Sequence, residues 1–119
     1  MIHHVRIEVS DIERSGSFYD AVLAPLGWRR HTRGERGVGW GIARPWFFAK
    51  AGDPVQPGTE IVCFTASGVI AVRAAWEGGV GAGGADDGKP SQRPEYGTSY
   101  YSAYLRDPDG YRIEIAVAE

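Results

Sequence analysis

Polar and apolar residues alternate at the start of the chain. Val5, Ile7 and Val9 share one face, and His4, Arg6 and Glu8 share the other. A period of two over residues 3–9 predicts a half-buried strand whose second face is unusually polar. Ser10 or Asp11 then offers an N-cap, with Glu13 in the first turn, and a helix is expected to about Leu26. Phe18, Val22 and Leu26 recur every four residues with Tyr19 and Leu23 beside them, which gives one apolar stripe; Pro25 lies near its end and Gly27 stops it. Short strand-like pieces follow at Trp28–His31, Val38–Ile42 and Trp46–Lys50, then a Pro/Gly loop from Asp53 to Gly58.

The pattern then restarts. Ile61–Ala66 reads as a strand, Ser67 as a cap, and Val69, Val72, Trp76 and Val80 lie at helical spacing. Gly78, Gly79 and Gly81 each cost a helix about 1 kcal/mol relative to alanine, so its end is expected to fray. Residues 85–98, with Pro90 and Pro94, read as a polar loop. Two alternating runs around Asp107-Pro108-Asp109-Gly110 close the chain as a β-hairpin, because Pro presets the turn and Gly supplies positive φ. Strand, helix and a run of strands thus occur twice. This predicts one α+β domain over residues 1–119, with module one at about 1–58 and module two at about 59–119. Helices would pack on one face of a curved sheet, leaving polar strand faces on the other.

Composition narrows the function classes. A length of 119 residues suits one domain with a real core, and a formal net charge of −2 argues against a nucleic-acid binder. Arg29, Arg30, Arg33 and Arg36 form the one basic stretch, diluted by Glu35 and glycines, and read as a solvated loop or hairpin face first and an anion-facing wall second. A single cysteine, Cys63, excludes an internal disulfide and fits a reducing compartment. No apolar run approaches membrane-spanning length and no leader is evident, so a cytoplasmic protein with no membrane partner is expected. There is no phosphate loop, nucleophile elbow or CxxC pair.

Several stretches, taken together, resemble the vicinal oxygen chelate superfamily of glyoxalase, bleomycin-resistance and extradiol-dioxygenase proteins. They are His3-His4-Val5, the run Ser10-Asp11-Ile12-Glu13-Arg14-Ser15 leading to Phe18-Tyr19, Ala21-Val22-Leu23-Ala24-Pro25-Leu26-Gly27, and Tyr104 through Glu114. The resemblance covers essentially the whole chain. It implies paired βαβββ modules forming a curved mixed sheet around a cavity, often completed by a homodimer. In metal-dependent members the ligands come from cavity-facing strand positions, which here fall on His4, Ile61 and Glu114, with a fourth near Phe47 or Phe48. Isoleucine and phenylalanine cannot ligate. A metal site of His4 and Glu114 alone is therefore incomplete, and a divalent cofactor is possible but not favoured.

The residues themselves suggest other roles. His4 beside Glu114 would form a proton-handling pair, with Tyr104 on the neighbouring strand as a hydroxyl reaching the cavity; these three are the candidate catalytic groups. Arg6 is expected to pair with a neighbouring strand or to hook a ligand anion. Trp46, Phe48 and Tyr96, with Trp40 and Phe47, suit an aromatic wall, and Ile61, Cys63 and Ser102 are expected to line the same cavity. Cys63 itself reads as an inert buried thiol. The expected activity is binding a small aromatic or vicinal-oxygen compound, with or without transforming it. The alternatives are a metal-dependent lyase or dioxygenase using His4 and Glu114, and a dimer that sequesters a drug without chemistry.

Overall fold

The computed structural model describes residues 1–34, 37–55 and 60–117, with the side chains of residues 32–34 and 61 also outside the description. Module one is β1 (Val5–Val9), α1 (Ile12–Leu23), a 3-10 turn (Ala24–Leu26), β2 (Arg29–Gly34), β3 (Gly37–Gly41) and β4 (Pro45–Ala51). Module two is β5 (Glu60–Thr65), α2 (Val69–Gly81), β6 (Ala85–Gln92), β7 (Tyr101–Arg106) and β8 (Arg112–Val117). Each module is a βαβββ unit that folds into its own four-stranded mixed sheet. The orders are β1-β4-β3-β2 and β5-β8-β7-β6, with β1–β4 and β5–β8 parallel.

The Asp11 carboxylate caps α1, accepting from the backbone N–H of Glu13 and Arg14. The stripe read from the sequence is the buried one. Phe18, Tyr19, Val22 and Leu23 are fully buried and belong to one core with Ile7, Val9, Trp40, Phe47 and Ala49. The helix proper ends at Leu23, and a tighter turn carries the chain to Gly27, whose φ of 86° needs glycine. Val72 and Ala75 of α2 are buried in the same core as Ala103, Leu105, Ile113 and Ile115.

Three expectations change. The N-cap of α2 is Gly68 rather than Ser67, with no side-chain hydrogen bond. The glycines at 78 and 79 do not fray the helix, because they are where α2 meets α1. A Cβ on Gly78 would lie 2.7 Å from the Ala21 carbonyl oxygen, and one on Gly79 would lie 2.6 Å from Leu105 and 2.8 Å from Val22. Finally, the first half of the expected 85–98 loop is β6, paired with β7 across two register irregularities. Its sequence, Ala-Asp-Asp-Gly-Lys-Pro-Ser-Gln, has no strand pattern, so the strand exists because β7 offers it a partner.

The closing hairpin also locks the modules together. Asp107 is buried and accepts from the Asp109 and Tyr111 N–H groups and, at 2.6 Å, from the Tyr19 hydroxyl on α1. Asp109 accepts from Ser10, and the Tyr111 hydroxyl donates to the Glu8 carbonyl at 2.8 Å. Asp107 and Asp109 thus shape the turn and also join module two to module one, Asp107 at Tyr19 in the body of α1 and Asp109 at Ser10 just after β1. Gly110, at φ 93°, closes the turn.

Candidate functional site

The polar face of the second sheet holds the densest chemistry. Glu60 pairs in register with Arg112, and Cys63 with Glu114, so three residues on β5 span two on β8. That bulge brings Glu60 onto the face of Cys63 and Glu114, whereas simple alternation would send it to the other side. The carboxylates of Glu60 and Glu114 and the Cys63 sulfur all lie within 4.8 Å of one another. Glu114 is buried and accepts from the Tyr100 hydroxyl at 2.9 Å. Partial burial, then a hydrogen bond to Glu114 and the charge on it, push the Glu60 carboxyl up to about 7 from an ordinary 4.5. The same surroundings, burial first and then Glu114, push the Cys63 thiol up to about 12, which makes it a neutral thiol at physiological pH. Tyr104 stands directly across from Glu114 on β7, with the Arg112 guanidinium 4.0 Å over its ring and Arg93 at 5.3 Å. Burial, then a hydrogen bond to Tyr96, raises its hydroxyl well above the ordinary tyrosine range.

Between the modules lies a cleft of about 650 Å³. Trp28 and Trp46 meet edge to face at 5.4 Å, and Phe64 stands edge-on to Trp28 at 5.4 Å and to Phe47 at 5.3 Å. Those four rings line it, with His4 and Arg44 from module one and Cys63 from module two. Cys63 therefore belongs both to this cleft and to the carboxylate cluster. A smaller groove of about 310 Å³ shares His3, His4 and Arg44 with the cleft and adds Arg6 and Phe48.

The expected site residues thus divide. Glu114, Tyr104 and Cys63 come together on the second sheet, with Tyr96 above Tyr100 at a ring separation of 5.3 Å. Ser102 follows the alternation that places Tyr104 on that face, and it is fully buried. The Ser102 hydroxyl has no hydrogen-bond partner among the described residues. Trp46 lines the cleft, whereas Phe48 packs edge to face on His4 at 5.4 Å beside the groove. The side chain of Ile61 lies outside the described residues. His4 does not join Glu114 within the chain. Its ring nitrogen is 2.9 Å from that of His3, it is exposed, and no hydrogen bond or ion pair among the described residues links the two. The reason is topological: β1 and β8 belong to different sheets. Arg6 makes no ion pair among the described residues. Cys63, expected to be buried, is exposed at the cleft, and Trp40 is core rather than cavity wall, its indole N–H donating to Asp20. In the arginine stretch, Arg30 pairs with Asp20 at 2.8 Å, while the side chains of Arg33 and Arg36 lie outside the described residues.

The donors present can be tested against a divalent cation. Ligand atoms sit about 2.0–2.3 Å from such an ion, so at tetrahedral angles any two lie about 3.3–3.8 Å apart. Two carboxylates and a thiol within 4.8 Å reach that spacing by side-chain closure of up to about 1.5 Å, and Cys63 would bind as the thiolate, giving up the proton it otherwise keeps. The residues fit, and Glu60, Cys63 and Glu114 would hold the ion.

A family model described as the Glyoxalase/Bleomycin resistance protein/Dioxygenase superfamily matches residues 1–115. Among solved structures, a glyoxalase/bleomycin resistance protein from Albidiferax ferrireducens is 28% identical with a TM-score of 0.85, covering 98% of each chain. A family enzyme from Burkholderia phytofirmans is 19% identical with a TM-score of 0.76, over 99% of this chain and 98% of that one. A fosfomycin resistance protein from Listeria monocytogenes, solved with manganese and a dihydroxypropylphosphonic acid, is 19% identical with a TM-score of 0.71, over 97% of this chain and 87% of that one. The last two share the fold. No curated protein matches the chain.

Proposed function

Because the chain belongs to the glyoxalase/bleomycin resistance protein/dioxygenase superfamily, we propose that it binds a small aromatic or vicinal-oxygen compound in the cleft, with the reacting end reaching past Cys63 to Glu60 and Glu114, which lie beyond the lining and handle a proton. The observation that carries this reading is the carboxyl pair beside Cys63, with Glu60 raised to about 7. A carboxyl with that pKa is divided between acid and base near neutral pH, which is where general acid–base catalysis works best. Glu60 takes or returns the proton; Glu114, fixed by Tyr100, positions it. The neutral Cys63 thiol contributes a wall rather than a nucleophile.

One observation favours a second reading, the three donors of Glu60, Cys63 and Glu114. A divalent ion held there would supply Lewis-acid polarisation of a ligand oxygen. In either reading we place a second copy of the chain opposite the site. The open polar face of β1 supports this, since Arg6 there and His4 just before it are exposed and, among the described residues, bond to no residue of module two.

Deuterium exchange at the carbon next to the carbonyl of an α-hydroxyketone, followed by NMR in D₂O, tests the proposal. Wild type is expected to exchange with a pH profile that bends near 7, and Glu60→Gln to lose at least about a hundredfold. Exchange no faster than buffer, or unaltered in Glu60→Gln, sinks the proton-handling role. Metal analysis before and after dialysis against a chelator decides between the two readings: stoichiometric metal lost together with exchange selects the metal.

A further inference from the structure

The inter-module cleft carries a charge of one sign. Among the described residues its lining includes no aspartate or glutamate; the ionisable side chains there besides the Cys63 thiol are Arg44 and the imidazoles of His3 and His4. The adjoining groove adds Arg6 and, among the described residues, again no carboxylate. This bias runs against the whole chain, whose net charge is −2. Arg44 spends two N–H groups on backbone carbonyls, those of His3 at 3.1 Å and Pro45 at 3.3 Å, and has no ion-pair partner among the described residues. A guanidinium carries five N–H donors in a planar fork, so a bidentate contact is still available to it. Its carbon sits 5.9 Å over the Trp46 ring, at the aromatic wall itself. Aromatic walls with one convergent cation, in a volume of about 650 Å³, define a ligand by shape and charge.

We infer that the cleft selects a planar aromatic acid, its ring against Trp28 and Trp46 and its carboxylate on Arg44. This rests on the reading of the cleft as a ligand site and adds the chemical class that fills it. The carboxylate goes to the module-one wall, because Cys63 on the module-two wall stands within 4.8 Å of the Glu60 and Glu114 carboxylates, which repel an anion.

The test is calorimetric titration of the full chain with naphthoate and with naphthamide, which share a ring system and differ in charge. Amide NMR spectra report whether the Trp28 and Trp46 indole N–H signals move. Naphthoate is expected to bind at least about tenfold more tightly than naphthamide, to weaken with added salt, and to shift both indoles. Arg44→Gln should abolish the preference and Arg44→Lys should keep part of it. Should either variant fail to fold, the acid-to-amide ratio and its salt dependence in wild type decide alone. Equal binding of the two with both indoles shifted overturns the anion inference and leaves the cleft as a ligand site. A preference retained in folded Arg44→Gln overturns the role of Arg44. Binding of neither compound overturns both the inference and the cleft reading, whatever the exchange assay shows for Glu60.

Discussion

Glu60 and Cys63 stand three residues apart on one strand yet serve the same carboxylate, and that single displacement separates the legible part of the site from the hidden part. Glu114 could be read from the sequence, because a carboxylate between Ile113 and Ile115 must face away from the core. Glu60 could not. Alternation from Cys63 assigns it to the opposite face, and only the bulge on β5 reverses that. The signal available was weak: a glutamate immediately before an apolar run, at the end of a Pro/Gly loop. Its effect on stability has a definite sign. The folded protein holds the Glu60 proton up to about 7, while the unfolded chain releases it near 4.5. The native state therefore binds more protons between those values, and stability falls as pH rises through that window and levels off above it. Thermal melts of wild type and Glu60→Gln across pH 4 to 9 should show the wild-type melting temperature dropping more steeply between about 4.5 and 7 than the variant's. Parallel curves would mean that Glu60 is not held against its charge.

At the scale of elements, the apolar stripe of α1 and the alternation of β1 were legible because each buries one face against a neighbour and repeats at its own period. The α2 stripe was legible only at Val72: Val69 and Val80 are exposed, and Ala75 and Gly79 are buried instead. β7 and β8 were legible from their alternation, although both of their faces are buried. β6 was not, since its residues carry no pattern of their own, and neither was the role of the glycines in α2. Propensity treats Gly78 and Gly79 as defects, whereas packing uses them to bring α2 against α1 and β7. The two accounts predict opposite outcomes for Gly79→Ala. Propensity gives a gain of about 1 kcal/mol. The contacts of its Cβ at 2.6 Å from Leu105 and 2.8 Å from Val22, both fully buried, instead predict a loss of about 1–3 kcal/mol from overpacking. Urea unfolding of the variant measures which wins, and a rise in the midpoint would mean that the helix interface yields without cost.

For the whole molecule, the paired modules were visible in the sequence, but the distance between their polar faces was not. Strand parity reports which face a residue takes; it says nothing of whether two sheets of one chain turn those faces toward each other. Glu114 lies on β8 and His4 immediately before β1, and among the described residues they share no bond, since the two strands belong to separate sheets. If His4 serves the Glu114 site at all, it comes from a second copy, and a closed two-fold dimer makes that testable. His4→Ala and Glu114→Gln chains would each assemble dimers with no intact site. Mixed after unfolding and refolded together, they would pair at random, so half the dimers would hold one of each chain. In those, the His4 of one chain and the Glu114 of the other restore one site in two, and about a quarter of the sites regain function. Recovery of α-hydroxyketone exchange to about that level on mixing, from two inactive preparations, is the expected result. If the His4→Ala protein is fully active alone, or mixing restores nothing, His4 belongs to the groove with Arg6 and Phe48, and Glu60 is the partner that Glu114 needs.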